Sequence, residues 1–504
     1  MKKVLLFASV LALTSCSVAS NVEKKPFVWE GANLYFLLTD RFENGDLSND
    51  INFNRTEQAA KLRGFEGGDI KGITKKIKEG YFTDLGVNAI WMTPLLEQIH
   101  GYTDEGQGKT YGFHGYWTKD WTQLDPNFGT TDDLKEMIEA AHSKGIRIVF
   151  DAVINHTGPV TDIDPVFPSD WVRTSPKCTY DNYVNTTACT LVANLPDILT
   201  ENNTSVELPP QLAEKWKKAG TYEKEVAELN QFFAKYNLPK APKYYIMKWL
   251  SDYIKKYGID GFRVDTVKHV NEDVWKEFQK ICQDSFDEFK KNNPSKVLDN
   301  QPFFTVAEVY NYGISHKKEF NFGDKSVNYF DNGFSSIINF DFKGDAKKSY
   351  EEMFAKYSEI LNSDLKGFSV MNYADSHDDG DAFDMTRSKP YETATKLLLA
   401  PGISQIYYGD ETARPLKVEG ADGDANLRSF MNWDDIKNNT ETQKILAHWQ
   451  KLGKFRQAHP AVGAGVHKKL EIEDAYSGKT VTVDKNKMIT FATDYDVVLL
   501  EVIK

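Results

Sequence analysis

Gly261-Phe262-Arg263-Val264-Asp265 is a short apolar run that ends on a carboxylate. The ending recurs in Phe303-Phe304-Thr305-Val306-Ala307-Glu308, and Tyr373-Ala374-Asp375-Ser376-His377-Asp378 brings a third acid to the end of a third run. A carboxylate at the end of a buried strand is costly unless it has a partner or a task. The intervals between the three are long enough for a helix and the next strand, the rhythm of consecutive βα units. Strand ends of this kind line one rim of a β/α barrel, the rim on which such barrels carry their functional groups.

Outward from these runs, the pattern predicts strands at 33–38, 89–92, 147–153, 261–265, 303–308, 336–340, 368–373 and 404–408. Eight is the number a closed barrel needs. Helical periodicity falls between them at 131–143, 243–256, 271–291, 346–361 and 391–399, with Thr131 placed as a cap and Gly145 beyond the first helix. About a hundred residues separate the third strand from the fourth, and the stretch 158–207 within them is rich in Pro, Asn, Thr and Asp. The fold class is therefore α/β: a (β/α)8 TIM barrel, 27–157 and 208–454, with a small domain inserted after strand 3 at 158–207. Short strand-like runs at 468–472, 480–483, 488–493 and 497–502 predict a short C-terminal β domain over 455–504.

The 504 residues suffice for a large barrel, and 41% apolar content excludes a disordered chain. A formal charge of −12 argues against nucleic acid, whose binding rests on basic patches. Aromatic residues reach 13%, which suits a cleft that stacks against sugar rings and suits a large core equally.

Lys2 and Lys3 precede an apolar run at 4–13 that is too short to span a bilayer, the form of an export signal. Its end, Leu13-Thr14-Ser15-Cys16, resembles the bacterial lipoprotein signal, which implies cleavage after residue 15, lipid on Cys16 and a tether over 16–26. The expected location is outside the cytoplasm, lipid-anchored to a bacterial membrane, and the expected state is monomeric. Cys178 and Cys189 lie close together in a polar segment and can form a disulfide, as an exported protein permits. Cys282 falls inside a helical pattern and reads as a buried thiol. No Cys-x-x-Cys pattern is present, which disfavours a zinc or redox site.

Five motifs in order carry a resemblance. They are Asp151-Ala-Val-Ile-Asn155-His156, Leu195-Pro196-Asp197-Ile198, Gly261-Phe-Arg263-Val-Asp265-Thr-Val-Lys268-His269, Val306-Ala-Glu308-Val and Ser376-His377-Asp378. From about 33 to 465 the chain resembles the α-amylase family of glycoside hydrolases, and the segment 111–125 looks like bacterial periplasmic members. Arg263 and Asp265 are two apart on a strand and face the same way, and a neighbouring guanidinium favours an ionised carboxylate. The resemblance makes Asp265 the nucleophile. Glu308 follows apolar neighbours that raise its pKa, which keeps a proton for the leaving oxygen. The resemblance makes it the general acid and then the base, with Asp378 binding sugar hydroxyls beside them. It also implies sugar contacts for His114, Tyr116, His156, Arg263 and His377, for Lys268 and His269 on the leaving-group side, and for Asp424 and Arg428.

The implied cofactor is calcium, which takes several oxygen ligands. The resemblance draws the shared site from Asn155, Asp197 and the backbone carbonyl of His269. A second site is implied at Asn44, Asp46, Asn49, Asp50, Gly67 and Asp69. Two departures stand out: Ser376 replaces the Asn used by chloride-dependent members, and Asp197 is followed by Ile198-Leu199. The implied activity is retaining, endo-type hydrolysis of α-1,4-glucosidic bonds in an α-glucan polysaccharide or maltooligosaccharide. A cyclomaltodextrinase-like or transglycosylating enzyme is the alternative. A glucan-binding protein without catalysis is disfavoured, because all three carboxylates are present.

Overall fold

The computed structural model describes residues 27–104 and 106–467. Eight parallel strands close into a barrel in sequence order: β1 (Asn33–Leu37), β2 (Ala89–Met92), β3 (Arg147–Ala152), β4 (Gly261–Val264), β5 (Phe304–Ala307), β6 (Ser336–Asn339), β7 (Ser369–Tyr373) and β8 (Ile403–Tyr407). Every residue of these strands is buried. A parallel strand covered on both faces reads as an unbroken apolar run, which is why the eight were visible in the sequence. The register places Arg263 of β4 beside Asp151 of β3 and Val306 of β5.

The barrel helices are α1 (Ile70–Glu79), α2 (Thr131–Ser143), α3 (Pro242–Tyr257), α4 (Glu272–Asn292), α5 (Tyr350–Asn362), α6 (Pro390–Leu399) and α7 (Thr440–Ala458). The cap of α2 is Thr130, not Thr131: its side chain accepts from the Asp133 amide while the Asp133 carboxylate reaches back to the Thr130 amide. Helix α5 starts later than the predicted 346, because Ser349 and Glu352 form the same reciprocal cap.

Between β3 and β4 the insertion carries a two-stranded ladder, Val172–Arg173 with Asp197–Ile198, and the Cys178–Cys189 disulfide. The chain then forms two helices that the sequence reading had not separated, Pro210–Ala219 and Tyr222–Tyr236, before α3. A tryptophan layer joins this region to the barrel. Trp249 of α3 lies 6.3 Å from Trp171 and 6.4 Å from both Trp121 and Trp216. Truncating such a buried ring costs about 3–5 kcal/mol.

The C-terminal boundary at 455 needs correction. Helix α7 runs on to Ala458 and a further turn spans Ala461–Ala464. The reason is Arg456, a fully buried side chain that donates to the carbonyls of Leu398 (3.2 Å), Ala400 (2.8 Å), Glu30 (3.2 Å) and Gly402 and so ties α7 to the connection between α6 and β8 and to the segment before β1. The predicted strands at 468–502, the signal segment, Cys16 and the tether all lie outside the described residues. Cys282 is buried and free in α4.

Candidate active site

At the C-terminal rim, the barrel ladder continues one residue past each of two strands. The Asp265 amide donates to Ala152 O (3.0 Å) and the Glu308 amide to Val264 O (2.9 Å), so both acids stand on rigid backbone. Asp378 comes from the loop after β7. All three line a cleft of about 670 Å³ together with His114, Tyr116, His156, Lys268, His269, His377, Asp424 and Arg428. Every sugar-contact residue named from the sequence is thus brought to one place, with Arg263 buried beneath them.

Arg263 organises the floor. Its Nη1 lies 2.7 Å from Asp265 Oδ1 and 3.0 Å from Asp151 Oδ1, and its Nη2 lies 3.1 Å from Glu308 Oε2. Asp265 Oδ2 has no protein partner. Glu308 Oε2 also accepts the Thr266 amide at 2.7 Å. Burial pushes the Glu308 carboxyl up to about 8, helped by Asp265 and Asp378 and opposed by Arg263.

Asp151 headed one of the motifs but was given no role. The structure makes it the counter-anchor of Arg263, with Trp91 Nε1 (3.1 Å) and Tyr116 Oη (2.8 Å) donating to Oδ2. Its burial on β3 and its β4 partner are cross-strand facts that a single run of sequence does not carry. Tyr116 in turn stacks over His377, ring centroids 5.3 Å apart.

Burial pushes the His114 imidazole well below its ordinary range and that of His377 to about 4. Both are neutral near pH 7 and fit hydroxyl groups better than anions. Asp424 bridges Arg428 (2.8 Å) and Arg63 (2.8 Å), and Arg428 Nε donates to the His377 carbonyl (2.8 Å). Lys268 donates to Tyr310 O (3.1 Å). Arg63, Tyr180 and Tyr310 also line the walls and were not named from the sequence. They come from loops far apart in the chain with no shared pattern.

Below one wall, the Asn155 side chain lies 3.2 Å from both Asp197 Oδ1 and the His269 carbonyl. The three groups expected to share calcium therefore converge. Turned one way, the Asn155 amide nitrogen donates to both oxygens; turned the other way, its oxygen faces two more, the crowding that a cation relieves. Arg173 Nε reaches Asp197 Oδ2 at 2.7 Å from the same ladder. His269 Nδ1 lies 3.1 Å from the Thr186 carbonyl, a second link between insertion and barrel.

The N-terminal loop also closes on itself. Asp69 accepts from the amides of Gly45 (3.1 Å), Asp46 (2.8 Å) and Gly72 (2.7 Å), and Asn44 Nδ2 donates to Asp50 Oδ1 (2.9 Å). Asn49 Oδ1 is buried there without a partner. Gly67 has φ +96°, and an added Cβ would lie 2.3 Å from Asn44 Nδ2 and 2.7 Å from Asp50 Oδ1. Lys71 already pairs with Asp46 at 2.5 Å.

The family model for the alpha amylase catalytic domain matches residues 36–461. A periplasmic alpha-amylase of Escherichia coli (strain K12) is 35% identical, over 90% of this chain and 70% of that protein. A cyclomaltodextrin glucanotransferase of Geobacillus stearothermophilus is 28% identical over 89% of this chain, which spans only 57% of that protein. Among solved structures, an Anoxybacillus alpha-amylase superposes with a TM-score of 0.60 over 87% of this chain and 81% of its own, and at 23% identity it supports the fold. On the family match and the Escherichia coli relative, this chain belongs to the alpha-amylase family of glycoside hydrolases.

Proposed function

We propose that the protein is a retaining α-amylase that cuts internal α-1,4-glucosidic bonds of α-glucans or maltooligosaccharides. The observation that carries this reading is one guanidinium touching both Asp265 and a Glu308 whose carboxyl burial holds up near 8. That pairing supplies an anion and a proton at one place. Both carboxyls touch one guanidinium, and a retaining mechanism calls for a separation of about 5–5.5 Å between them.

In the first step, the unpartnered Oδ2 of Asp265 bonds to the anomeric carbon. The glycosidic C–O bond breaks, and the Glu308 proton goes to the departing oxygen. In the second step, Glu308 takes a proton from water, the water oxygen bonds to the anomeric carbon, and Asp265 is released. Asp378, His114, Tyr116, His156 and His377 hold the ring at the scission point. Lys268 and His269 lie on the leaving-group side, and Asp424 and Arg428 bind further along the cleft.

We also propose calcium at Asn155, Asp197 and the His269 carbonyl, supported by their convergence, and at the N-terminal loop, supported by the orphaned Asn49 oxygen. Bound there, the ion supplies a structural clamp. Export with a lipid anchor on Cys16 belongs to the same reading; the periplasmic relative and the Cys178–Cys189 disulfide support export. Among the described residues no helix is long and apolar enough to cross a membrane.

The test is the product profile and anomeric form released from maltoheptaose. α-Anomeric short maltooligosaccharides from the wild type, absent with Asp265→Asn, are expected. Release of the β-anomer contradicts retention. Products longer than the substrate favour transglycosylation, and no product from either protein rejects the hydrolase reading.

A further inference from the structure

Asp378 has little to hold its own side chain. The side chain is 45% exposed, and among the described residues its carboxylate takes one hydrogen bond, from Ser376 Oγ at 3.3 Å. His377 Nδ1 stands off at 3.7 Å. The aim of this acid is therefore set by the loop that carries it.

Arg387 closes that loop. Asp375 and Arg387 lie on either side of Asp378 in the chain, and Arg387 Nη1 donates to Asp375 Oδ2 at 2.6 Å. A backbone bond pinches the loop between them, the Phe383 amide donating to Ala374 O at 2.9 Å. The same guanidinium reaches the loop after β8. Its Nη2 lies 3.0 Å from Asp410 Oδ1, and its Nε donates to Arg414 O at 2.7 Å. All three guanidinium nitrogens are thus engaged, and both carboxylates are buried. Arg387 itself has φ +56°, left-handed backbone that residues with a Cβ rarely adopt and that persists where surrounding contacts over-determine it.

The contacts run in a ring. Arg414 Nη1 donates to Ser429 Oγ at 2.6 Å, and Arg428, next to Ser429, donates to the His377 carbonyl. The loop is therefore held at Asp375 and His377 before the acid and at Arg387 after it. A lysine offers one point charge where this site uses a planar fork and its third nitrogen. We propose that Arg387 is a positioning residue for Asp378: by tying both ends of the loop after β7 to the loop after β8, it aims the Asp378 carboxylate at the hydroxyls of the sugar ring at the scission point. This rests on the hydrolase reading above.

The test is a double-mutant cycle on kcat/KM for maltoheptaose, with wild type, Arg387→Lys, Asp378→Asn and the double variant. A residue that acts through Asp378 matters only while that carboxylate is present, whereas a weakened fold costs the same in either background. The expected result is a loss of at least tenfold for Arg387→Lys in the wild-type background and of less than twofold in the Asp378→Asn background. Losses of similar size in both backgrounds overturn the proposal, as does an Arg387→Lys protein as active as wild type. Should Arg387→Lys fail to fold by circular dichroism, Asp375→Asn, which leaves the guanidinium paired with Asp410, takes its place in the same cycle and is judged by the same outcomes. If wild type releases no product, the hydrolase reading fails instead, and the cycle is run on calorimetric binding of maltoheptaose. Binding weakened by Arg387→Lys only while Asp378 is intact then supports the positioning role. Equal weakening in both backgrounds, or no binding by wild type, rejects it.

Discussion

The proton on Glu308 gives the sharpest prediction. Burial holds this carboxyl near 8 against an ordinary 4.5. At pH 7 about nine molecules in ten carry the proton, whereas the unshifted group would carry it in about one in 300. On the proposed mechanism the acid form is the working form, so activity is expected below the raised pKa and lost as pH rises through it. We expect kcat/KM for maltoheptaose to fall about tenfold per pH unit above about 8. Glu308→Gln should lower kcat/KM by about 10²–10⁴ at pH 7 and abolish that alkaline limb. An α-maltosyl fluoride, whose leaving group needs no proton, should show no limb near 8 even with wild type. The assay is a stopped sugar-release series from pH 5 to 10, with circular dichroism at each end to show that the fold persists. The same limb in Glu308→Gln, or a wild-type limb near pH 5, would refute the assignment of the acid.

Three further outcomes are expected. Asp265→Asn should lower kcat by at least about 10³-fold while leaving maltoheptaose binding measurable by calorimetry, since removing a covalent participant removes a whole route. A calcium chelator should lower the thermal midpoint and Asp197→Asn should remove that response; full occupancy at a hundredfold excess over Kd contributes about 2.7 kcal/mol, and a midpoint indifferent to both would reject the clamp. Cys178→Ser should destabilise the inserted domain by roughly 2–4 kcal/mol and raise KM more than it lowers kcat, because Tyr180 and Leu191 of the cleft wall sit in or beside that closed loop.

The barrel strands were legible because burial on both faces leaves an apolar run with little else in it, and each began or ended within a residue of its predicted place. Ends governed by side chains were less so. Ser349-Tyr-Glu-Glu352 is a readable capping signature, yet the helical periodicity upstream drew the predicted start of α5 to 346. The boundary at 455 was placed too early because what holds α7 through Ala458 is Arg456 bonding to four distant carbonyls. In the site, Asp265, Glu308, Asp378 and the histidines named from contiguous motifs lie together in one cleft. Tyr310, Tyr180 and Arg63 did not, because each is useful only where another loop happens to meet it. Asp151 stood in plain view; its function is visible only once β3 and β4 lie side by side.

The three-acid contact of Arg263 has a consequence for turnover. On the proposed retaining route Asp265 loses its negative charge on becoming an ester, and in the same step Glu308 gives up its proton and becomes negatively charged. The charge shifts from the neighbour of Nη1 to the neighbour of Nη2, about the width of one planar group away, while the sum facing the guanidinium stays constant. Hydrolysis reverses the shift. A site whose total charge is the same in every resting state has no need to draw in or expel counter-ions between half-reactions, and its surroundings can stay still while the bond changes hands.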